Sequence, residues 1–320
     1  MKLLITGGCG FIGSNLAEYL LENKLFDSIT IVDNLSTGFM ENIDNLLKKY
    51  TNLKFIEGDI KDIDVCRNIT KNIDAICHQA AIGSVPRSIN DPFFYHKNNV
   101  DGFFNLLIAA KENGCRRFVY ASSSSVYGDE ASLPKIEGKT GEVLSPYAAT
   151  KKINEIYANV FYKCYGIEII GLRYFNVFGE KQNPNGEYAA VIPKFIYYAK
   201  NRESPIIYGD GNYSRDFTYV KNVVRANYLA LTTTNQECFG EIFNIGAGGR
   251  ITVNEIFYKI CEIMGENITP NYHPNRKGDI PHSNASIEKA GHMLGYVPEY
   301  EFEDGLRQTI SYFMGLKKLE

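Results

Sequence analysis

The sequence predicts an α/β fold, a doubly wound parallel sheet with a smaller C-terminal α/β lobe. Three observations carry that prediction. Short β-branched runs alternate with helical spacings through the first half of the chain. A glycine-rich turn joins the first run to the first helix. After about residue 170 the rhythm loosens, and Gly179, Pro184, Gly186, Pro193, Pro205, Gly209 and Gly211 crowd in. Alternating strands and helices bury their apolar faces best as a parallel sheet covered on both sides.

The elements follow in order. Lys2–Thr6 is a short apolar strand, and Phe11–Glu22 sets Ile12, Leu16 and Leu20 at helical spacing. Ser28–Asp33 is β-branched and extended, and residues 53–59, 73–77 and 117–122 read as further strands. Residues 99–112 form a helix through Val100, Phe103, Phe104 and Leu107. A longer helix takes Ser145 as N-cap and Pro146 at its first position, and ends near Gly166. Its apolar stripe (Ile153, Ile156, Tyr157, Val160, Phe161, Cys164) is wide enough to pack on the sheet and on a second subunit. A single buried face is the other reading, and the sequence leaves both open. Residues 241–245 are strand-like and are expected to rejoin the main sheet. The expected division is 1–175 for the first lobe and 176–320 for the second, with part of 216–246 returning to the first.

Composition bounds the function. The chain has 320 residues, 44% apolar and 22% charged, and a net charge of −3, which argues against a dedicated nucleic-acid or anionic-membrane binder. The seven cysteines (Cys9, Cys66, Cys77, Cys115, Cys164, Cys238, Cys261) contain no C-x-x-C pair and read as buried thiols in a reducing compartment. The five histidines show no H-x-x-x-H pattern, so no metal is expected. No signal-peptide shape stands at Met1-Lys2-Leu3, and no apolar run approaches the roughly 20 residues of a membrane-crossing helix. A cytoplasmic protein is expected.

Gly7-Gly8-Cys9-Gly10-Phe11-Ile12-Gly13 follows the first strand and contains G-x-G-x-x-G as Gly8, Gly10 and Gly13. Glycines there let backbone N–H groups approach a pyrophosphate at the helix N-terminus, as in a Rossmann dinucleotide site. Asp33 lies 20 residues beyond Gly13, where a carboxylate accepts hydrogen bonds from the adenosine ribose. Residues 34–47 contain no Lys or Arg to welcome a 2′-phosphate, so NAD is favoured over NADP. Asp59-Ile60 and Gln79-Ala80-Ala81 follow the third and fourth strands, at the sheet edge where ligands sit.

Tyr147 and Lys151 are four apart on the long helix and share a face. An ammonium beside a phenol lowers its pKa and makes it a usable base. The serine cluster 122–125 after the fifth strand offers hydroxyls to share a substrate proton.

Together these pieces resemble the extended short-chain dehydrogenase/reductase family over essentially the whole chain. The matching segments are Thr6-Gly7-Gly8-Cys9-Gly10-Phe11-Ile12-Gly13, Asp33, Asp59-Ile60, Val126-Tyr127-Gly128, Ser145-Pro146-Tyr147 with Lys151, and Arg173-Tyr174-Phe175-Asn176. Within the family the chain is similar to UDP-hexose 4-epimerases. Through Gly83-Ser84-Val85-Pro86-Arg87-Ser88 it is most similar to bacterial UDP-N-acetylglucosamine 4-epimerases. The resemblance implies a catalytic Tyr147 assisted by Lys151, with Ser123 or its neighbour Ser124 at the reacting hydroxyl. A hydride would leave sugar C4 for NAD, and return to the opposite face of the 4-keto sugar, with no net oxidation. For NAD it implies Gly7, Gly10, Phe11, Ile12, Gly13, Asp33, Asn34, Ser36, Thr37, Gly38, Asp59, Ile60, Gln79, Ala80, Ala81, Asn98, Tyr147, Lys151 and Phe175. For the UDP-sugar it implies Gly83, Ser84, Arg87, Ser123, Ser124, Asn176, Gln182, Ala190, Val191, Tyr208, Arg215, Asp279 and Ser283. It also implies a homodimer and a place in polysaccharide biosynthesis.

Relatives that eliminate water carry an acidic pair before Val-Tyr-Gly, and decarboxylases a Glu there; this chain has Ser124 and Ser125. Relatives restricted to UDP-glucose and UDP-galactose carry a bulky Tyr four residues beyond the position of Asp279, and this chain has Ser283. The small residues Ser283, Ser84, Ala189 and Ala190 leave room for a 2-acetamido group. The alternatives are a UDP-glucuronate 4-epimerase, with Arg87 against the carboxylate, and a non-catalytic NAD-binding sensor. For Arg215 a salt bridge with Asp216 or another carboxylate is the alternative to a pyrophosphate clamp. With no tryptophan in the chain, stacking on the uracil or sugar falls to residues such as Tyr208 and Phe195.

Overall fold

The fold is that of a computed structural model, which describes residues 1–184, 190–275 and 280–315. Six parallel strands, β1 (Lys2–Thr6), β2 (Ser28–Asp33), β3 (Leu53–Glu57), β4 (Ala75–His78), β5 (Arg117–Ser123) and β6 (Glu168–Tyr174), are built from the first half. The short strands β7 (Val177–Phe178), β8 (Ile206–Tyr208), β9 (Ser214–Arg215) and β10 (Thr218–Tyr219) lie outside that sheet. Then β11 (Ile242–Ile245) returns beside β6, pairing Ile242 with Gly171 and Ile245 with Tyr174. The strands β12 (Ile251–Thr252), β13 (Asn271–His273) and β14 (His282–Ser283) complete the small sheets.

The main sheet runs β11-β6-β5-β4-β1-β2-β3, all parallel. Alternate residues of β1 serve opposite faces. Leu3 and Ile5 pack with Leu16 and Leu20 of the helix Phe11–Glu22 and with Val223 of Val220–Thr232. Leu4 joins Phe103, Leu107, Phe118 and Phe161 on the other side. The chain reverses its direction of travel between β1 and β4, which opens a crevice at their carboxyl ends.

Boundaries shift where local chemistry decides. The third strand stops at Glu57, the fourth spans Ala75–His78 and the fifth reaches Ser123. The helix expected over 99–112 is α-helical only over Gly102–Glu112, and Lys97–Asp101 forms a π-helical turn before it. The long helix is Pro146–Tyr165: the Ser145 side chain accepts the Ala148 N–H at 3.2 Å and Gly166 takes the left-handed conformation at φ +69°. All seven cysteines are free thiols; six are buried, but Cys164 is exposed, against expectation. No helix among the described residues is long and apolar enough to cross a membrane.

Candidate active site

A cleft of about 710 Å³ occupies the crevice between β1 and β4. Its floor is the glycine turn. Gly7 has φ +70°, and a Cβ on it would stand 2.6 Å from the Ala80 amide nitrogen. A Cβ on Gly13 would stand 2.3 Å from the Gly7 carbonyl oxygen, inside the turn. Gly8 faces away, where a Cβ would meet the Ile31 side chain at 2.5 Å. Gly7, Gly10 and Gly13, the three glycines expected at the cofactor, line the cleft, whereas Gly8 of the G-x-G-x-x-G spacing does not. Gly10 caps the helix without a side-chain bond, which leaves the first-turn N–H groups facing the cleft.

Asp33 closes one end. It is 8% exposed, and its carboxylate accepts the N–H of Cys9 at 3.0 Å and of Leu35 at 2.9 Å. Burial pushes its pKa up, and these bonds act against the rise. Beside it Asn34 donates to the Asp59 carboxylate at 3.1 Å. Burial disfavours the Asp59 charge, but the Lys61 N–H, Asn34 and the Lys61 ammonium outweigh it and hold the pKa low. The lining continues through Phe11, Ile12, Ser36, Thr37, Ile60, Gln79, Ala80, Ala81 and Asn98 to Gly83, Ser84, Arg87, Gln182 and Ala190. A backbone cradle that side chains would fill, with an acid at the far end, fits an extended dinucleotide.

Four expected cofactor residues do not line the cleft. Gly38 sits beneath Asp33, where a Cβ would come within 2.9 Å of the carboxylate. Phe175 is fully buried against Tyr127, with ring centroids 6.0 Å apart. Tyr147 and Lys151, on the helix Pro146–Tyr165, are not among the residues lining the cleft.

Of Ser123 and Ser124, Ser123 is the one whose side chain acts on the Tyr147 phenol. Burial pushes the phenol's pKa up and Ser123 opposes this. Lys151 is not among the influences on that phenol's pKa, and its ammonium donates to the Ala121 carbonyl at 2.9 Å. Lys151 is 2% exposed, and burial pushes its pKa down to about 8. Neighbours fix the phenol's place. Ser88, fully buried, accepts the Tyr147 N–H at 3.1 Å, and Tyr95 meets the Tyr147 ring edge-on at 6.3 Å.

A second cavity of about 310 Å³ adjoins the first at Ala190. Asn176, Val191, Phe195, Tyr208 and Arg215 line it. Arg215 donates to the Ser214 and Pro281 carbonyls, at 2.9 and 3.0 Å. The Asp216 carboxylate instead accepts the N–H of Ala247 at 2.8 Å and of Gly248 at 3.0 Å. Ser283 is the register partner of Arg215 in the parallel pair β14–β9, but it lines neither cavity. Asp279 and Ala189 lie outside the described residues.

Sequence reasoning missed Asn99. Its side chain accepts the Ile82 N–H at 2.8 Å and donates to the Ile82 carbonyl at 3.0 Å, holding the wall between Ala81 and Gly83. Asn99 sits in the polar turn Lys97–Asp101 between Asn98 and Val100, where no sequence signal sets it apart. Val32, Gly58, Ile82 and Asn183 also line the first cleft.

Residues 3–246 match the model of the NAD dependent epimerase/dehydratase family. A putative UDP-glucose 4-epimerase of Methanocaldococcus jannaschii is 38% identical over 97% of each chain. Among solved structures, the UDP-N-acetylglucosamine 4-epimerase of Methanobrevibacter ruminantium, in complex with UDP-N-acetylmuramic acid, is 40% identical with a TM-score of 0.91 over 98% of each chain. The UDP-glucuronic acid 4-epimerase of Bacillus cereus, in complex with UDP-glucuronic acid and NAD, is 32% identical with a TM-score of 0.90, over 98% of this chain and 99% of that one.

Proposed function

The chain belongs to the NAD dependent epimerase/dehydratase family, and from that premise we propose that it is a UDP-sugar 4-epimerase acting by preference on UDP-N-acetylglucosamine. The observation that carries this reading is Tyr147 one helical turn from buried Lys151 on the helix Pro146–Tyr165, with a separate cleft that fits NAD.

The glycine turn and helix N-terminus would hold the pyrophosphate, and Asp33 the adenosine ribose. When bound, NAD supplies a cationic nicotinamide able to take and return a hydride. This chain's residues then do the rest. Tyr147 takes the proton of the sugar 4-hydroxyl, with Ser123 bridging the two oxygens. Burial pushes its phenol's pKa up, so it becomes a base only as positive charge gathers in the site. Buried Lys151 adds to that charge. Asn176, Tyr208 and Arg215 hold the nucleotide while the sugar turns over. Ser124 and Ser125 offer no acid to expel water, which favours epimerisation over dehydration. The small side chain of Ser283 beside Arg215 supports acceptance of a 2-acetamido group.

UDP-glucuronate is the second reading, favoured by Arg87 in the lining of the first cleft. The protein should also form a homodimer through the helix Pro146–Tyr165, where Ile156 is 57% exposed and Val160 44%.

The test is direct. The purified protein is mixed separately with UDP-N-acetylglucosamine, UDP-glucose and UDP-glucuronate, without added NAD, and each anomeric proton is followed by NMR. The expected result is a 4-epimer from UDP-N-acetylglucosamine at the highest kcat/KM. No 4-epimer from any of them refutes the reading.

A further inference from the structure

We propose that Glu155 is a positioning residue of the site: its buried carboxylate, one helical turn beyond Lys151, is the counter-charge of that ammonium and ties the serine-bearing strand to the catalytic helix. This rests on the roles just given to Tyr147 and Lys151.

The geometry is specific. Tyr147, Lys151 and Glu155 are successive positions four apart on one face of Pro146–Tyr165. The Glu155 side chain is 3% exposed. It accepts from Arg173 Nε at 2.8 Å on one oxygen and from Arg173 Nη2 at 3.0 Å on the other, a bidentate pair. The Ser122 hydroxyl donates to it at 2.7 Å. Ser122 directly precedes Ser123 on β5, so the carboxylate bolts the end of that strand to the helix carrying Tyr147.

A buried ion pair is a poor device for stability alone, since apolar residues of the same volume often stabilise as well. Its neighbour supplies a reason for it. The Lys151 ammonium is buried with a neutral carbonyl as acceptor, a setting that favours loss of its proton. Burial is the largest influence on Lys151, and Glu155 is the charge acting against it. Other titratable groups cannot substitute. His78 on β4 is buried and held neutral, its pKa pushed down to about 3. Tyr120 on β5 has its pKa raised by burial, and so does Tyr127, over which the Arg173 guanidinium sits at 4.8 Å. On the helix itself Tyr147 is a neutral phenol, and Lys152, 3.9 Å from Glu155, carries the wrong sign. Arg173 also carries the wrong sign, and its charge is matched by Glu155.

The test is the pH profile of kcat for Glu155→Gln, the double variant Glu155→Gln/Arg173→Met, and Ser122→Ala. Both charge-removing forms should move the alkaline limb at least one pH unit lower, a loss of tenfold or more at pH 8 with less than threefold at pH 6.5. The double variant leaves no unpaired buried guanidinium and decides the matter if Glu155→Gln does not fold. Ser122→Ala keeps the charge and should leave the limb in place. An unmoved limb in a folded charge-removing variant overturns the proposal, as does an equal displacement in Ser122→Ala. Failure of the wild-type protein to epimerise any UDP-sugar would instead sink the underlying reading.

Discussion

The backbone N–H of Tyr147 is bonded to the Ser88 hydroxyl at 3.1 Å, and that hydroxyl in turn donates to the Val85 carbonyl at 2.7 Å. The N–H belongs to the first turn of the helix, where no intrahelical acceptor exists. One buried side chain thus joins the 83–88 segment, which lines the cleft, to the residue proposed as base. Ser88→Ala leaves that amide unsatisfied, at a cost of about 1–2 kcal/mol. The expected outcome is a kcat lowered roughly 3- to 10-fold and a melting temperature a few degrees lower, with NAD affinity unchanged. Steady-state kinetics and thermal unfolding check it.

Gly7→Ala should abolish tight NAD binding, because both φ +70° and the Ala80 backbone stand against a methyl group. Gly8→Ala should cost stability and spare affinity, since its methyl would press on Ile31. Titration with NADH, read by its own fluorescence in a chain without tryptophan, should separate the two. Equal affinity losses in both would sink the assignment.

Tyr147→Phe should lower kcat by about 10²- to 10⁴-fold, the usual worth of a positioned acid or base. NAD should remain bound. Retained turnover would exclude Tyr147 as the base, and a protein that is a sensor would keep its partner response.

Ser283→Tyr should cut turnover of UDP-N-acetylglucosamine by tenfold or more and leave UDP-glucose turnover within about threefold, as steric exclusion of one group predicts. Competing the two substrates measures the ratio directly. Intact turnover of the acetylated sugar would remove Ser283 from the specificity argument.

His78 predicts a pH-dependent stability. Its ring is 1% exposed, shares a hydrogen bond with Thr6 at 2.8 Å, and has its pKa pushed down to about 3, first by burial and then by the Lys151 charge. The unfolded chain binds a proton near pH 6.5 that the folded one refuses until about 3. Its contribution is therefore full above pH 6.5 and is lost as pH falls towards 3, about 5 kcal/mol at most. Urea midpoints should drop between pH 7 and pH 4. His78→Gln should flatten that slope, and an unchanged slope would assign it to other groups.

The strands and helices of the first half were legible because period and caps agree: Ser145, Pro146 and Gly166 mark both ends of one helix, and the structure places them so. The π-helical turn at Lys97–Asp101 carries no sequence signal, since its register is set by Asn99 holding Ile82 and Thr150. The resemblance points to Gly7 at the cofactor, whereas the G-x-G-x-x-G spacing alone points to Gly8. Adjacent glycines at 7 and 8 look alike in sequence, and only the approach of Ala80 on one side and Ile31 on the other tells them apart. The phenol's environment was also beyond reach, because the Ala121 carbonyl that captures Lys151 belongs to a strand thirty residues away.

The return of Ile242–Ile245 to the edge of β6 limits how this protein can be recombined with its relatives. A chimera made at one junction near residue 175 would pair its own β6 with a foreign edge strand. Exchanging specificity as a cassette therefore requires two junctions, so that the four residues closing the sheet travel with the half they complete.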